Sequence, residues 1–420
     1  WPHDAFQHII IHQTSKTTIR DAPREINSYF GAEICTPENV IDNIADRGNT
    51  ATTTHMVAVM DNIRSNRIKS GDNAIFGVTG SGATIGTIIY TFDDLPERIR
   101  RIEAGEYKPE KVKSEQRKAV PLSPPMQRVR IESIGTIPED TQVVRKTLDL
   151  VTSAAENCFA ASAYKRDDID LLMYCGVYRD DFLCEPAVAS MVAGMLEIND
   201  TLDSQEEKKT FALDVMNGAL GMLNACHTAI GIIKAKKVKN AMIVASEVEN
   251  NQDGRSPELL DIEETGSAMI LDEGDGRTGF GNFVFKYFTD YVDAYIAHSV
   301  TLNGKTCMHF EQDPRLQAYY LQCIQETIQE LLSSEQLDLA QIKVILPPQI
   351  SAEFITSLSD AMKVDRDKFV DVHARHDLFT SSLAYALQNV REQDLVKTGD
   401  IGLIIAVGSG IQVGCATYHF

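Results

Sequence analysis

Residues 7–13, QHIIIHQ, set three isoleucines between polar ends, the pattern of a short buried strand that hands its last side chains to a site. Helical spacing follows over 14–30, and a second short helix is expected over 37–45. Asp46, Arg47, Gly48 and Asn49 read as a turn, after which the threonines of 50–54 enter another helix with capping oxygens to spare. Strands are expected at 74–78 and 85–90, joined by a Gly80-Ser81-Gly82 loop. The pattern is then lost. Residues 95–127 are charged, then proline-rich, with too little apolar content to fold alone, and read as a linker whose first part is compatible with a helix. Beyond Arg128 the order resumes with helices over 141–160, 186–196, 218–234 and 316–332 and strands over 167–175, 210–215, 240–246, 266–271 and 343–346. Strands alternating with helices predict an α/β fold with predominantly parallel sheets.

The end of the chain has been spelled once before. Residues 67–92, RIKSGDNAIFGVTGSGATIGTIIYTF, and 395–420, LVKTGDIGLIIAVGSGIQVGCATYHF, share one frame. Gly71 pairs with Gly399, Asp72 with Asp400, Gly82 with Gly410, Gly86 with Gly414 and Phe92 with Phe420, each pair 328 residues apart. An offset of that size is the repeat of a whole domain and too long for a solenoid unit. The expected organisation is the C-terminal part of a first unit over 1–94, a linker over 95–127 and a nearly complete second unit over 128–420. Because the chain opens on Trp1, it is expected to be the C-terminal part of a longer tandem protein.

Composition narrows the class. Among 420 residues, 43% are hydrophobic and 24% charged, as in packed globular protein. No apolar run reaches the roughly 18 to 20 residues of a membrane span, and no secretory signal is visible. The 8 cysteines are scattered without metal-ligand spacing, which suits free thiols in a reducing, cytoplasmic setting and predicts no metal. A net charge of −20 argues against nucleic-acid binding, which needs a basic face.

The phrase "ALDVMNGALGMLNACHTAIGIIKAKKVKNAMIVASE", the "IIIHQ" strand end, the "DRGNTATTT" turn and the closing "GDNAIFGVTGSGATIG" together resemble β-ketoacyl-acyl-carrier-protein synthase III and its relatives in the thiolase superfamily. The resemblance covers all but the linker. It implies a five-layered αβαβα thiolase-like fold and a Cys-His-Asn site, acting on acyl-carrier-protein or CoA thioesters without a cofactor. In that family a cysteine at the start of a buried helix takes an acyl group, a malonyl thioester loses carbon dioxide, and His and Asn donate hydrogen bonds to the thioester oxygen. A helix N-terminus lowers a thiol's pKa, and fixed donors stabilise the developing oxyanion.

Carried onto this chain, the resemblance places His12 and Asn49 as the first unit's catalytic pair, with its cysteine outside these residues. In the second unit the counterparts of Cys, His and Asn are Ala219, Pro348 and Asp377. Alanine cannot be acylated, proline has no donor, and an ionised aspartate repels an oxyanion. The second unit is therefore expected to be a degenerate, structural copy. The apolar helices at 186–196 and 218–234 suggest a buried partner face, either a fused pseudo-dimer or a homodimer.

Plainer readings stand beside these. His12 alone fits a structural histidine, and Asn49 a left-handed turn residue. Cys226 beside His227 fits core packing, because successive helical residues point about 100° apart. The Gly80-Ser81-Gly82 loop lacks the continuation of a phosphate loop. The basic run 234–239, KAKKVK, is either a solvated helix end or a patch for an acidic carrier protein. Two functions fit: a condensing acyltransferase of fatty-acid or secondary metabolism, or a non-catalytic scaffold for a separate condensing enzyme.

Overall fold

The structure is a computed structural model that describes residues 6–80, 84–106, 128–137, 143, 145–199, 210–252 and 256–420. The chain forms two compact units, Trp1–Lys118 and Ala119–Phe420.

In the first unit, β1 (His8–Ile11) leads into α1 (Lys16–Phe30), which starts where the Ser15 hydroxyl accepts the Thr18 N–H at 3.1 Å and stops at Gly31, whose φ of 60° only glycine adopts freely. The helix expected over 37–45 does not form. Thr36 N–H bonds the Asn39 side chain at 2.8 Å and Val40 bridges Ile9, so side chain and strand take the backbone groups a helix would need. Only one turn, α2 (Ile44–Arg47), follows. A short 3₁₀ turn at Ala51–Thr53 enters α3 (Thr54–Arg64). β2 (Asn73–Gly80) runs parallel to β1, and β3 (Thr84–Thr91) returns antiparallel to β2. The first part of the expected linker is a docked helix, α4 (Leu95–Glu103). Ile99 packs on the core beneath α3, and the Arg100 guanidinium donates to the Ile63 carbonyl at 3.0 Å. The rest of the expected linker, from 107 to 127, lies outside the described residues.

The second unit contains β4 (Arg130–Thr136), α5 (Thr147–Ala160), β5 (Leu171–Tyr174), α6 (Val188–Met195), β6 (Phe211–Asp214), α7 (Gly221–Lys234), β7 (Asn240–Glu247) and β8 (Thr265–Asp272). Then come β9 (Gly279–Tyr287), the hairpin β10 (Tyr295–Leu302) and β11 (Lys305–Gln312), and α8 (Leu316–Glu335). β12 (Ile342–Leu346), α9 (Ala352–Met362), α10 (Ser382–Glu392), β13 (Ile401–Gly408) and β14 (Gln412–His419) complete it.

Its strands form a five-stranded sheet in the order β4-β8-β7-β5-β6 and a four-stranded sheet in the order β12-β13-β14-β9. The expectation of mainly parallel sheets fails: β5 is parallel to β6 and β7, and β12 to β13, but β4, β8, β9 and β14 pair antiparallel. The pattern hid β9 and the β10–β11 hairpin, because their burial mixes half-exposed positions with no continuous apolar run. Side chains of α7 and α10 share one core with inward residues of both sheets, such as Ile243 and Ile404. The opposite face of the five-stranded sheet packs α5 and α6, and that of the four-stranded sheet packs α8 and α9.

Elements of the first unit have counterparts in the last part of the second. β2, β3, α3 and the 3₁₀ turn before it recur as β13, β14, α10 and Phe379–Ser381, 328 residues on. The Gly71 and Gly399 amides donate to the Phe92 and Phe420 carbonyls, both at 2.8 Å. Gln13 and Gln349 each donate to the carbonyl two residues back and accept an N–H from the following loop, that of Asn43 or Val372. Among the described residues no helix is long and apolar enough to cross a membrane.

Candidate active site

His12 follows β1 directly, so the strand end aims it. Its Nδ1–H donates to the Thr79 carbonyl on β2 at 2.8 Å, so an uncharged ring would carry its lone pair on Nε2. Nε2 is buried and, among the described residues, has no hydrogen-bond partner. A buried unpaired nitrogen costs about 1–3 kcal/mol, and such groups persist where a ligand completes them. The neutral ring thus accepts at Nε2, and it donates there only once protonated. Asn49 stands on the exposed turn before α3, where its Oδ1 accepts the Ala51 N–H at 2.9 Å. That bond orients the amide and leaves Nδ2 as the outward donor. The structure brings His12 together with Thr79 and His55; among the described residues no hydrogen bond joins it to Asn49.

His55 was not singled out from the sequence. On α3 it is buried, bonds the Gly77 carbonyl at 2.9 Å and sets its ring 5.6 Å from that of His12. Two imidazoles thus bond alternate carbonyls of β2. The signal was available in the repeat, since the counterpart 328 residues on is the buried Leu383.

In the second unit Ala219 sits just before α7, and Ala219 and Pro348 line one cavity of about 20 Å³. Met222, Leu223, Leu383 and Ile404 close it with hydrocarbon, so it holds at most a water-sized occupant. Asp377 lies two residues before the cavity wall at Phe379, whose N–H it accepts at 2.8 Å, as Asn49 does with Ala51. Burial pushes its carboxyl up to about 7. The simple view of an ionised aspartate therefore needs correction: near neutral pH the group is only partly charged.

The polar groups around this site are tied into the fold by hydrogen bonds. Glu247, at the end of β7, accepts the Tyr178 N–H at 2.8 Å and the Thr380 hydroxyl at 2.6 Å, and burial pushes its carboxyl up to about 7. Asp214, at the end of β6, accepts the Val188 and Ala189 amides and pairs with Arg179 at 3.0 Å, anchoring the start of α6. Cys226 is fully buried in the core and burial raises its thiol pKa, while the His227 ring packs against Phe283 and Phe285. In the basic run, Lys236 pairs with Glu273 at the exposed end of α7. Ser81 and Gly82 of the glycine loop lie outside the described residues.

This fold is a thiolase-like α/β fold. It matches solved structures of OleA from Xanthomonas campestris, including one with bound lauric acid and lauroyl-CoA (TM-score 0.59, 16% identity, covering 70% of this chain and 100% of that one). A 3-oxoacyl-(acyl-carrier-protein) synthase III structure aligns equally far (TM-score 0.58, 19% identity, 70% and 100%). Within that class, the family model described as 3-Oxoacyl-[acyl-carrier-protein (ACP)] synthase III C terminal matches twice, at residues 1–92 and 332–420. The chain is similar to β-ketoacyl-[acyl-carrier-protein] synthase III of Rickettsia akari, 23% identical over 274 residues, 64% of this chain and 83% of the relative. The Rickettsia canadensis enzyme is 24% identical over 284 residues, 67% and 85%.

Proposed function

We propose that these 420 residues belong to an acyl-transferring condensing enzyme of the 3-oxoacyl-ACP synthase III type. In this reading the first unit carries out the chemistry and the second is a structural copy. The observation that supports it most is the contrast between the corresponding sites: an oriented histidine whose buried Nε2 has no partner among the described residues in one, and a cavity of about 20 Å³ walled by Ala219 and Pro348 in the other.

The reaction needs a cysteine thiolate, which this reading places in a half that completes the first unit. The thiolate adds to an acyl thioester carbonyl, and the CoA or carrier thiol leaves with a proton. A malonyl thioester then loses carbon dioxide. The bonding pair becomes an enolate, whose carbon attacks the acyl-enzyme carbonyl and expels the cysteine. Protonated His12 and the Asn49 Nδ2 stabilise the enolate oxygen, and removing one such donor typically costs about 100- to 1,000-fold in rate. No cofactor is required.

Intact-protein mass after incubation with a panel of acyl-CoA and acyl-carrier thioesters tests this reading. One acyl adduct is expected on the longer polypeptide containing the completing half, and none on the 420-residue chain. An adduct on the shorter chain, or none on either, refutes it; the latter result favours a scaffold for a separate synthase.

A further inference from the structure

The first unit exposes a sheet face that its own counterpart buries. On β3, Ile85 is 76% exposed, Ile88 57% and Ile89 48%, whereas the residues 328 on, Val413, Ala416 and Thr417, are completely buried. Successive residues of a strand point to opposite faces, so β3 is bare on both. It is also an edge: among the described residues the sheet order is β1-β2-β3, while in the second unit β14 continues to β9. An exposed, apolar edge strand is a template for pairing with another chain.

The second unit shows what covers such a strand. β9 pairs antiparallel with β14, setting Phe285 opposite Gly414 and Phe283 opposite Ala416. On one face Val413 belongs to the same buried core as Ile324 and Ile328 of α8; on the other Ala416 shares a core with Phe280 and residues of α7. All three covers come from the half that precedes β12.

We propose that β3 is the docking edge for a synthase-type N-terminal half built like residues 129–335, supplied by polypeptide outside these 420 residues, whose β9-like strand pairs antiparallel with Gly86–Ile88. A second copy of this chain does not supply it, because its own such half already covers β14. The inference rests on reading the first unit as a synthase C-terminal half, and it names the surface through which the nucleophile-bearing half reaches His12.

The test places a photoreactive benzophenone amino acid at Ile85 or Ile88 in the protein expressed in its own cells, with mass-spectrometric sequencing of the crosslinked peptide. The expected product joins β3 to a segment that aligns with β9 or α8 of this chain but is not this chain's own copy. In that complex the amides of β3 should exchange about 100-fold more slowly or better than in the 420-residue chain alone. A crosslink to β3 of another copy, to this chain's own β9 or to a protein without such elements overturns the proposal, as does no crosslink from either position. Thioester adducts report chemistry and the crosslink reports assembly. A crosslink without acylation therefore sinks the proposed function and keeps the surface.

Discussion

His12 and Asp377 show how single side chains acquire a role from what they touch. Replacing His12 with alanine in the completed enzyme should lower malonyl decarboxylation about 100-fold or more while leaving cysteine acylation measurable, because only the enolate needs that donor. Equal loss of both half-reactions would argue for a structural histidine. Asp377 makes a pH-dependent contribution. Its folded-state value of about 7 lies above the ordinary 3.8, so between those values the folded state keeps a proton that the unfolded state has released. Stability therefore falls as pH rises through that window. Asp377→Asn keeps the acceptor for the Phe379 N–H and removes the titration. Urea unfolding should show it nearly neutral at pH 4 and stabilising by about 1–2 kcal/mol at pH 8, after allowance for partial solvent access. Equal effects at both pH values would remove the carboxyl from the account.

At the scale of elements, the start of α7 is where the proposed reading of the second unit can be tested. Ala219 occupies the position before the helix that the resemblance gives to cysteine, yet the space in front of it is about 20 Å³. Ala219→Cys should therefore fold and stay unmodified by acyl thioesters, as checked by intact mass; an acyl adduct would mean the cavity opens in solution. Much of the element order was legible because β2, β3, α3 and α7 carry clean periodic patterns. The helix expected over 37–45 was not, since the Thr36 and Asn39 side chains each accept the other's backbone N–H and Val40 joins β1. The hairpin was missed for a different reason: β10 and β11 alternate irregularly and leave most of their side chains exposed.

For the whole molecule, the repeat predicts opposite outcomes for one chemical change. Ile88→Lys places a charge on a surface already 57% exposed and should change stability by about 0.5 kcal/mol or less, whereas Ala416→Lys buries one and should cost more than about 3 kcal/mol. Thermal unfolding of the two variants of this chain measures the contrast, and equal losses would mean that β3 is covered. The sequence by itself determined what is local or periodic: where most strands and helices run, the frame shared by 67–92 and 395–420, and which residue types stand at His12, Asn49, Ala219, Pro348 and Asp377. Tertiary structure alone decided which nitrogen of His12 is claimed by the backbone, because the carbonyl that claims it lies 67 residues away on β2. It also brought His55 against His12, closed the cavity at Ala219 and left β3 bare. Each of these depends on groups far apart along the chain, whose meeting is set by packing and hydrogen-bond satisfaction, and no local pattern encodes it.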